Sequence, residues 1–499
     1  MLARITDVVD RLQYGYTAKA SNTTSGPKFL RITDIKQNGV DWANVPTCEI
    51  SSHDFEKYRL YSGDVVFART GSIEKAWHVE NPPEAIFASY LIRGRPIEIA
   101  VGDWLAKFVQ SKDYLEQISA VGAGIGRENV NARNLGQISF PLPPLAEQRR
   151  IVAKIEALQE RSRRAREELS EVEPLLQQFR QSVLAAAFRG DLTADWRAAH
   201  PNIEPASELL HRIRAERCRR WEQAELAKYE AKGQKPPKNW QDKYEEPEPV
   251  DDLELSELPE GWVWATVDEI SSHIVDCPHS TPKWTEAGKL CVRTTEFRPG
   301  HLDIANARFV SQETFDERNY RLKPQPGDIL YSREGGILGI SCQVPSDTEL
   351  CLGQRMMLMR TDVHFFSRLL MHWLNSPRTL DRVKRLTLGS ASPHLNVGEV
   401  KRFPVPVAPL DEQSKLLEQI ESCLATPEVC GQMATDYEQQ LDQLDQSILV
   451  KAFYGELVPQ DPDDEPASAL LERIREQKAG QAEATKPTSK LHRHHGATR

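Results

Sequence analysis

Two stretches of the chain place an apolar or small residue alternately every four and three positions. The first runs through Ile151, Ile155, Leu158, Ser162, Ala165, Leu169, Val172, Leu176, Phe179, Val183 and Ala186. The second runs through Leu416, Ile420, Cys423, Pro427, Cys430, Ala434, Tyr437, Leu441, Leu444, Ile448 and Lys451. This heptad spacing predicts two long helices with a left-handed supercoil. At 1.5 Å per residue, about 37 residues span about 55 Å. Neither seam can be left in water, so each is expected to bury against the other. Pro174 and Pro427 fall inside the two patterns and are expected to kink or break the helices.

The helices belong to a larger repeat. Phe140-Pro141-Leu142-Pro143-Pro144-Leu145-Ala146-Glu147-Gln148 precedes the first, and Phe403-Pro404-Val405-Pro406-Val407-Ala408-Pro409-Leu410-Asp411-Glu412-Gln413 precedes the second. Each helix closes in Phe-x-Gly-x-Leu, at Phe188 and Phe453. Glu147 to Glu412 and Phe188 to Phe453 are both 265 residues apart. A shorter match follows each closer, at residues 205–214 and 466–475, and reads as a helix with Ser near its start.

Upstream of each helix the pattern changes. Residues 29–35, 65–69 and 85–93 are strand-like, and 103–109 and 114–118 have helical spacing, without a regular βαβ beat. The expectation is an α+β domain. Residues 258–403 repeat the anchors: 292–297 matches 30–35, and 327–333 matches 63–69. Gly389-Ser390 precedes Leu395-Asn396 as Gly122-Ala123 precedes Asn129. Between anchors the copies diverge. The resulting division is a first module at 1–143, a helix at 144–192, a short helix and extended linker at 193–257, a second module at 258–406, a helix at 407–457, and a short helix with a disordered tail at 458–499.

Composition narrows the class. A chain of 499 residues exceeds a single core. No apolar run reaches membrane-spanning length and the N-terminus lacks a signal-peptide core, so a cytoplasmic protein is expected. The eight cysteines form no CxxC pair and are expected to be reduced thiols. The net charge of −10 argues against nucleic acid only superficially. Residues 1–140 carry 16 basic and 16 acidic side chains, residues 258–403 carry 18 and 17, and the acid collects in connectors such as 245–252. Binding depends on the local field at one face.

No catalytic centre emerges. Asn81-Pro82-Pro83-Glu84 approaches an amino-methyltransferase signature, but Glu84 cannot stack a flipped base. Gly122-Ala-Gly124-Ile-Gly126 is not followed by an apolar helix. Asp34-Ile35-Lys36 is the nearest fragment to a nuclease's acids and lysine, but its counterpart Glu296-Phe297-Arg298 lacks a convincing upstream acid, and the 490–495 segment is only a faint metal pattern. What remains is binding. Arg31, Thr33, Lys36, Arg69, Thr70, Ser72, Lys75, Tyr90, Arg127 and Asn129 gather around strand ends of the first module. Arg293, Thr295, Arg298, Arg333, Gln354, Arg355, Ser390 and His394 do so in the second. Such side chains reach base edges and phosphates.

Two divergent modules, each followed by Pro-rich-Leu-x-Glu-Gln and a long helix closing in Phe-x-Gly-x-Leu, resemble the DNA-specificity (S) subunits of type I restriction-modification systems. The second module opens with Leu258-Pro259-Glu260-Gly261-Trp262-Val263-Trp264, a lead-in of that family; the first module lacks it, which puts its edge packing in question. The resemblance implies two target recognition domains, each reading half of a split sequence in double-stranded DNA, separated by two antiparallel coiled-coil helices. It implies docking of two methyltransferase (M) subunits and of restriction (R) subunits. S-adenosylmethionine, ATP and Mg would belong to those partners, with no cofactor and no catalysis in this chain. A coiled-coil adaptor and a methyltransferase or nuclease with a divergent site stay open as alternatives.

Overall fold

In the computed structural model, the described residues are 1–21, 26–36, 39–73, 75–122, 129–251, 255–389 and 393–484. They form two compact units, one of Met1–Ser170 with Thr435–Arg499, the other Glu171–Ala434. Each unit therefore combines one module with helix segments from both copies.

In the first unit, Leu2–Arg4 pairs antiparallel with Ser139–Pro141, so the incoming and outgoing strands of the module lie side by side despite the missing lead-in. Between them, Val9–Tyr14, Leu91–Pro96, Val65–Ala68 and Ala76–His78 form an antiparallel sheet in that order. Lys28–Leu30 pairs in parallel with Ala85–Phe87. The run 85–93, expected as one strand, is split: the Leu91 N–H turns back to the Ala88 carbonyl at 2.8 Å, and the chain passes from one sheet to the other through Ser89 and Tyr90.

The second unit repeats this plan. Val263–Thr266 pairs with Pro404–Val407, and Ser271–Asp276, Met356–Thr361, Ile329–Ser332 and Ser341–Gln343 reproduce the four-stranded order. Lys289–Val292 and Leu350–Leu352 give the parallel pair, enlarged by Arg308–Val310 and Trp284–Thr285. Polar ties recur at the same places. Asp64 takes Arg95 at 2.7 and 2.9 Å, and Asp328 takes Arg360 at 2.7 Å on both oxygens. The Trp104 indole N–H donates to the Pro141 carbonyl and that of Trp373 to the Pro404 carbonyl, each at 2.7 Å. These bonds satisfy buried polar groups where the sheet meets the helices, a requirement for stability in a low-dielectric core.

The first long helix breaks beside its proline as expected, and the second does not. The first is interrupted at Glu171, between Leu145–Ser170 and Val172–Phe188, so that Pro174 falls in a first turn where its missing N–H costs nothing. The second runs unbroken from Leu410 to Phe453 through Pro427. Pairing is antiparallel within each unit. In the first, Arg166 bridges Asp442 and Asp445 at 2.8 Å, and Leu158 lies with Ile448. In the second, Leu176 faces Gly431 while Val183, Leu184 and Phe188 share a core with Leu416, Ile420 and Leu424. Phe179 in the second unit, and Tyr437 and Leu444 in the first, are about half exposed.

The closing phenylalanines cross between copies. Phe453 packs on Trp104 of the first module at 4.6 Å, and Phe188 on Trp373 of the second at 5.0 Å. The short helices follow them: Ala467–Ala484 sets Leu470, Leu471 and Ile474 into the first unit's core, and Ala206–Ala231 sets Leu209, Leu210 and Ile213 into the second's. Helix Ala467–Ala484 extends into the tail expected to be disordered; its last buried apolar residue is Ile474, and beyond it Lys478 donates to the Thr6 carbonyl. The linker is not fully extended either: Trp240 stacks on Trp221 at 5.8 Å, with Tyr244 at 5.4 Å.

The Glu-Gln pair at the start of each helix is buried. Gln148 donates to the Pro143 carbonyl at 2.8 Å and Gln413 to the Ala408 carbonyl at 2.9 Å, fixing the angle at which the module enters its helix. The glutamates diverge. Glu412 accepts from Thr193 Oγ1 and Arg197 at 2.7 Å and from the Trp262 indole at 2.9 Å. Glu147 has no hydrogen-bond or ion-pair partner among the described residues, and burial pushes its carboxyl above the usual value.

Candidate nucleic-acid interface

The stretch 29–35 is not one strand. Lys28–Leu30 ends at Arg31, whose backbone N–H and guanidinium both reach the Asp34 carboxylate, at 2.9, 3.0 and 2.7 Å. The pair closes a 3₁₀ turn, Ile32–Asp34, and leaves Thr33 and Lys36 exposed. Arg293 and Glu296 build the same turn in the second module, at 2.5 Å for the backbone and side-chain bonds, with Thr295 and Arg298 exposed. An arginine held by a neighbouring acid is spent on turn geometry; in the second module the exposed residues are tied as well, Thr295 to Glu296 at 2.8 Å and Arg298 to the Thr295 and Phe297 carbonyls at 2.9 Å.

A second group gathers beside the first. The Ala88 N–H bonds the Leu30 carbonyl, the Arg69 N–H bonds the Tyr90 carbonyl, and the Val130 N–H bonds the Arg69 carbonyl, at 2.9, 2.9 and 2.8 Å. Thr70 bridges Asn129, and Lys75 Nζ donates to the Ile35 carbonyl at 3.3 Å. Arg31, Arg69, Thr70, Ser72, Lys75, Tyr90 and Asn129 thus converge on one set of strand ends. The second module repeats the bonds: Gly353 to Val292, Arg333 to Arg355, Leu395 to Arg333, at 2.8, 3.0 and 2.8 Å, with Glu334 bridging His394. Gln354 stands where Ser89 does and donates to the His279 carbonyl. Arg127 and Ser390 lie outside the described residues.

The shared backbone carries different chemistry. The Arg69 guanidinium lies over the Tyr14 ring at 4.8 Å and has no carboxylate partner among the described residues. Arg333, at the same place, is buried and gripped by Asp276 at 2.8 and 2.9 Å, and it donates to the Leu395 carbonyl at 3.2 Å. Tyr90 projects into solvent in the first module; Arg355 does so in the second, from a left-handed backbone at φ +69°. One end of the sheet is therefore a fixed frame bearing exchangeable polar tips, an arrangement suited to reading the edges of a polymer by hydrogen bonds.

The comparisons with known proteins bear on this frame. The model of the type I restriction modification DNA specificity domain matches residues 2–173. The EcoKI specificity subunit of Escherichia coli K12 is 24% identical over 443 residues, covering 85% of this chain and 83% of that one. The EcoBI specificity subunit of Escherichia coli is 24% identical over 493 residues, covering 95% and 91%. On these matches the chain is similar to the specificity subunits of type I restriction-modification systems. A chain solved in work on complex assembly and conformational transition of the type I R-M system shares this fold, with a TM-score of 0.59, 20% identity, and coverage of 91% and 98%.

Two positions in this chain escape sequence reasoning. Tyr14 and Asp276 end equivalent strands, opposite Ile92 and Met357, and each decides what its arginine does. Neither differs in pattern from an ordinary strand residue, and only the register pairs them with Arg69 and Arg333. Among the described residues no group of three or more His, Cys, Asp or Glu is placed to hold a metal ion, and no helix is long and apolar enough to cross a membrane. The eight cysteines are free thiols.

Proposed function

We propose that each module reads one half of a bipartite DNA sequence through the tips grouped at its strand ends. The paired helices set the unread spacer between the halves, and methyltransferase subunits dock on them, with restriction subunits joining. What supports this reading above all is a backbone hydrogen-bond frame repeated bond for bond, on which the exposed side chains have changed. Two modules with one target would keep their tips, and a mere adaptor has no use for such a frame. In the first unit the half-exposed Tyr437 and Leu444 offer partners an apolar surface. Under this reading the chain acts in the cytoplasm without catalysis or a cofactor of its own; S-adenosylmethionine, ATP and Mg work in the partner subunits.

The test is adenine-methylation sequencing of cells expressing the chain with its partner subunits. Exchanging residues 1–143 for another such module should replace one half of the methylated sequence and leave the other half and the spacing intact. An unchanged sequence after exchange sinks the reading, as does methylation by the purified chain alone.

A further inference from the structure

The helix Pro377–Thr387 carries Arg378, Arg382 and Arg385 at spacing i, i+4, i+7, hence on one face. None of the three has an ion pair among the described residues, although Asp381 on the same helix pairs with Lys384 at 3.5 Å. Arg378 lies over the Trp264 ring at 5.2 Å and donates to Ser256 Oγ at 2.5 Å. Arg382 lies over Phe403 at 5.6 Å, and its Nε is buried without an acceptor. Arg385 is exposed in the last turn. A guanidinium stacked on a ring keeps edge donors for an in-plane acceptor such as a phosphate. Burial, then the charges of Arg385 and Arg382, pull Arg378 below the ordinary arginine value.

Like charges one turn apart destabilise a helix, so this face is a cost to the isolated fold. The scaffold does not require it. At the repeat offset of 265 residues the first module has Asp113, Gln117 and Ala120 on helix Lys112–Gly122. The three arginines span about 10 Å of helix axis, a length over which duplex DNA presents about six backbone charges. The helix also leads, through residues 388–393, to His394 in the second module's cluster of tips.

We propose that this arginine face grips the phosphate backbone of duplex DNA, giving the second module a sequence-independent hold that the first lacks. It rests on the DNA-reading function above. The experiment compares the wild-type chain, assembled with its methyltransferase subunits, with Arg378→Gln/Arg382→Gln/Arg385→Gln. Fluorescence anisotropy is followed across salt on the target duplex from methylation mapping and on a scrambled duplex. Each phosphate contact contributes a slope of about 0.9 in log affinity against log salt, so the triple variant should lose a slope of about 2 to 3. Between about 50 and 200 mM salt the wild type should then lose roughly 40-fold more affinity than the variant, similarly on both duplexes. Arg385→Gln, an exposed change, should lose a slope of about 1 with unaltered thermal melting, which keeps the test valid if the triple variant unfolds. Variants sharing the wild-type slope overturn the assignment. So does loss of methyltransferase co-elution without a change in slope, which gives the face to a protein partner. A wild-type complex that binds no duplex overturns the DNA-reading function as well.

Discussion

Replacing Glu412 by Gln tests whether the buried glutamate is held by its donors or merely tolerated. Its carboxylate is fully buried and takes three donors: Thr193, Arg197 and the Trp262 indole. A carboxamide keeps the shape but has one acceptor oxygen and turns an NH₂ toward either the indole or the Arg197–Thr193 side. A hydrogen bond to a charged group contributes about 1.5–3 kcal/mol, and leaving one partner of a buried pair unmatched costs about 3–5 kcal/mol. We expect a loss of about 3 kcal/mol. For a unit of more than 200 residues that lowers Tm by about 6–12 °C. Scanning calorimetry reads the shift, and hydrogen exchange in peptides covering residues 190–198 and 260–266 locates it. Glu147→Gln is the internal control. Glu147 has no such donors, and burial raises its carboxyl above the unfolded value. The folded state therefore holds that proton more tightly, and stability falls as pH rises through the folded value. Removing the charge should leave Tm unchanged or slightly higher at neutral pH. Equal losses in the two variants would refute the donor-set account and assign the cost to burial of the Glu-Gln pair itself.

Other outcomes follow from the same geometry. Burial, with Arg368 and Arg180 nearby, brings His372 down to about 4, so the unfolded chain takes its proton first. The second unit should lose about 3 kcal/mol as pH falls from about 6.5 to about 4, and His372→Gln should remove most of that loss in urea unfolding at the two pH values. Asp276→Asn leaves the buried Arg333 guanidinium with Glu334 at 2.8 Å as its remaining carboxylate and should cost about 1.5–3 kcal/mol by the same measurement. Arg69→Ala, which loses only stacking on Tyr14, should cost about 1 kcal/mol or less while weakening DNA binding. Gly353→Ala would place a methyl group 2.4 Å from the Val292 carbonyl oxygen, where the Gly353 N–H also bonds, and should cost about 1–3 kcal/mol by displacing the strand.

The frame of this fold is legible in sequence because it is written twice. The Glu-Gln pairs, the Phe closers and the Gly-Asp strand starts all sit at matching offsets, and periodicity separates helices from sheet. Failures cluster where a short-range signal meets a long-range partner. Residues 85–93 are uniformly strand-like, and nothing local shows that the chain changes sheet at Tyr90. Arg31-Ile32-Thr33-Asp34 fits a strand until the arginine is seen closing a turn on the aspartate. Pro427 marks a break by propensity, yet the helix runs through it from Leu410 to Phe453. Trp221 and Trp240 give no sign that they stack. Among the candidate tips, Arg69 and Arg333 are indistinguishable in sequence, and only the strand opposite tells which of them is anchored.

The side-by-side strands at the base of each module have an evolutionary consequence. A segment whose two ends are paired neighbours can be cut out and replaced without moving the rest of the chain, as a cassette. In the second unit the tether between Trp262 and Glu412 fixes where such a cassette must be cut. A crossover inside 262–412 risks separating the indole from a carboxylate that fits it, whereas one in the flanking repeated text keeps both. Recombination between genes of this kind should therefore leave its junctions in the repeated helices and spare the strands between, so that new specificities arrive as whole modules.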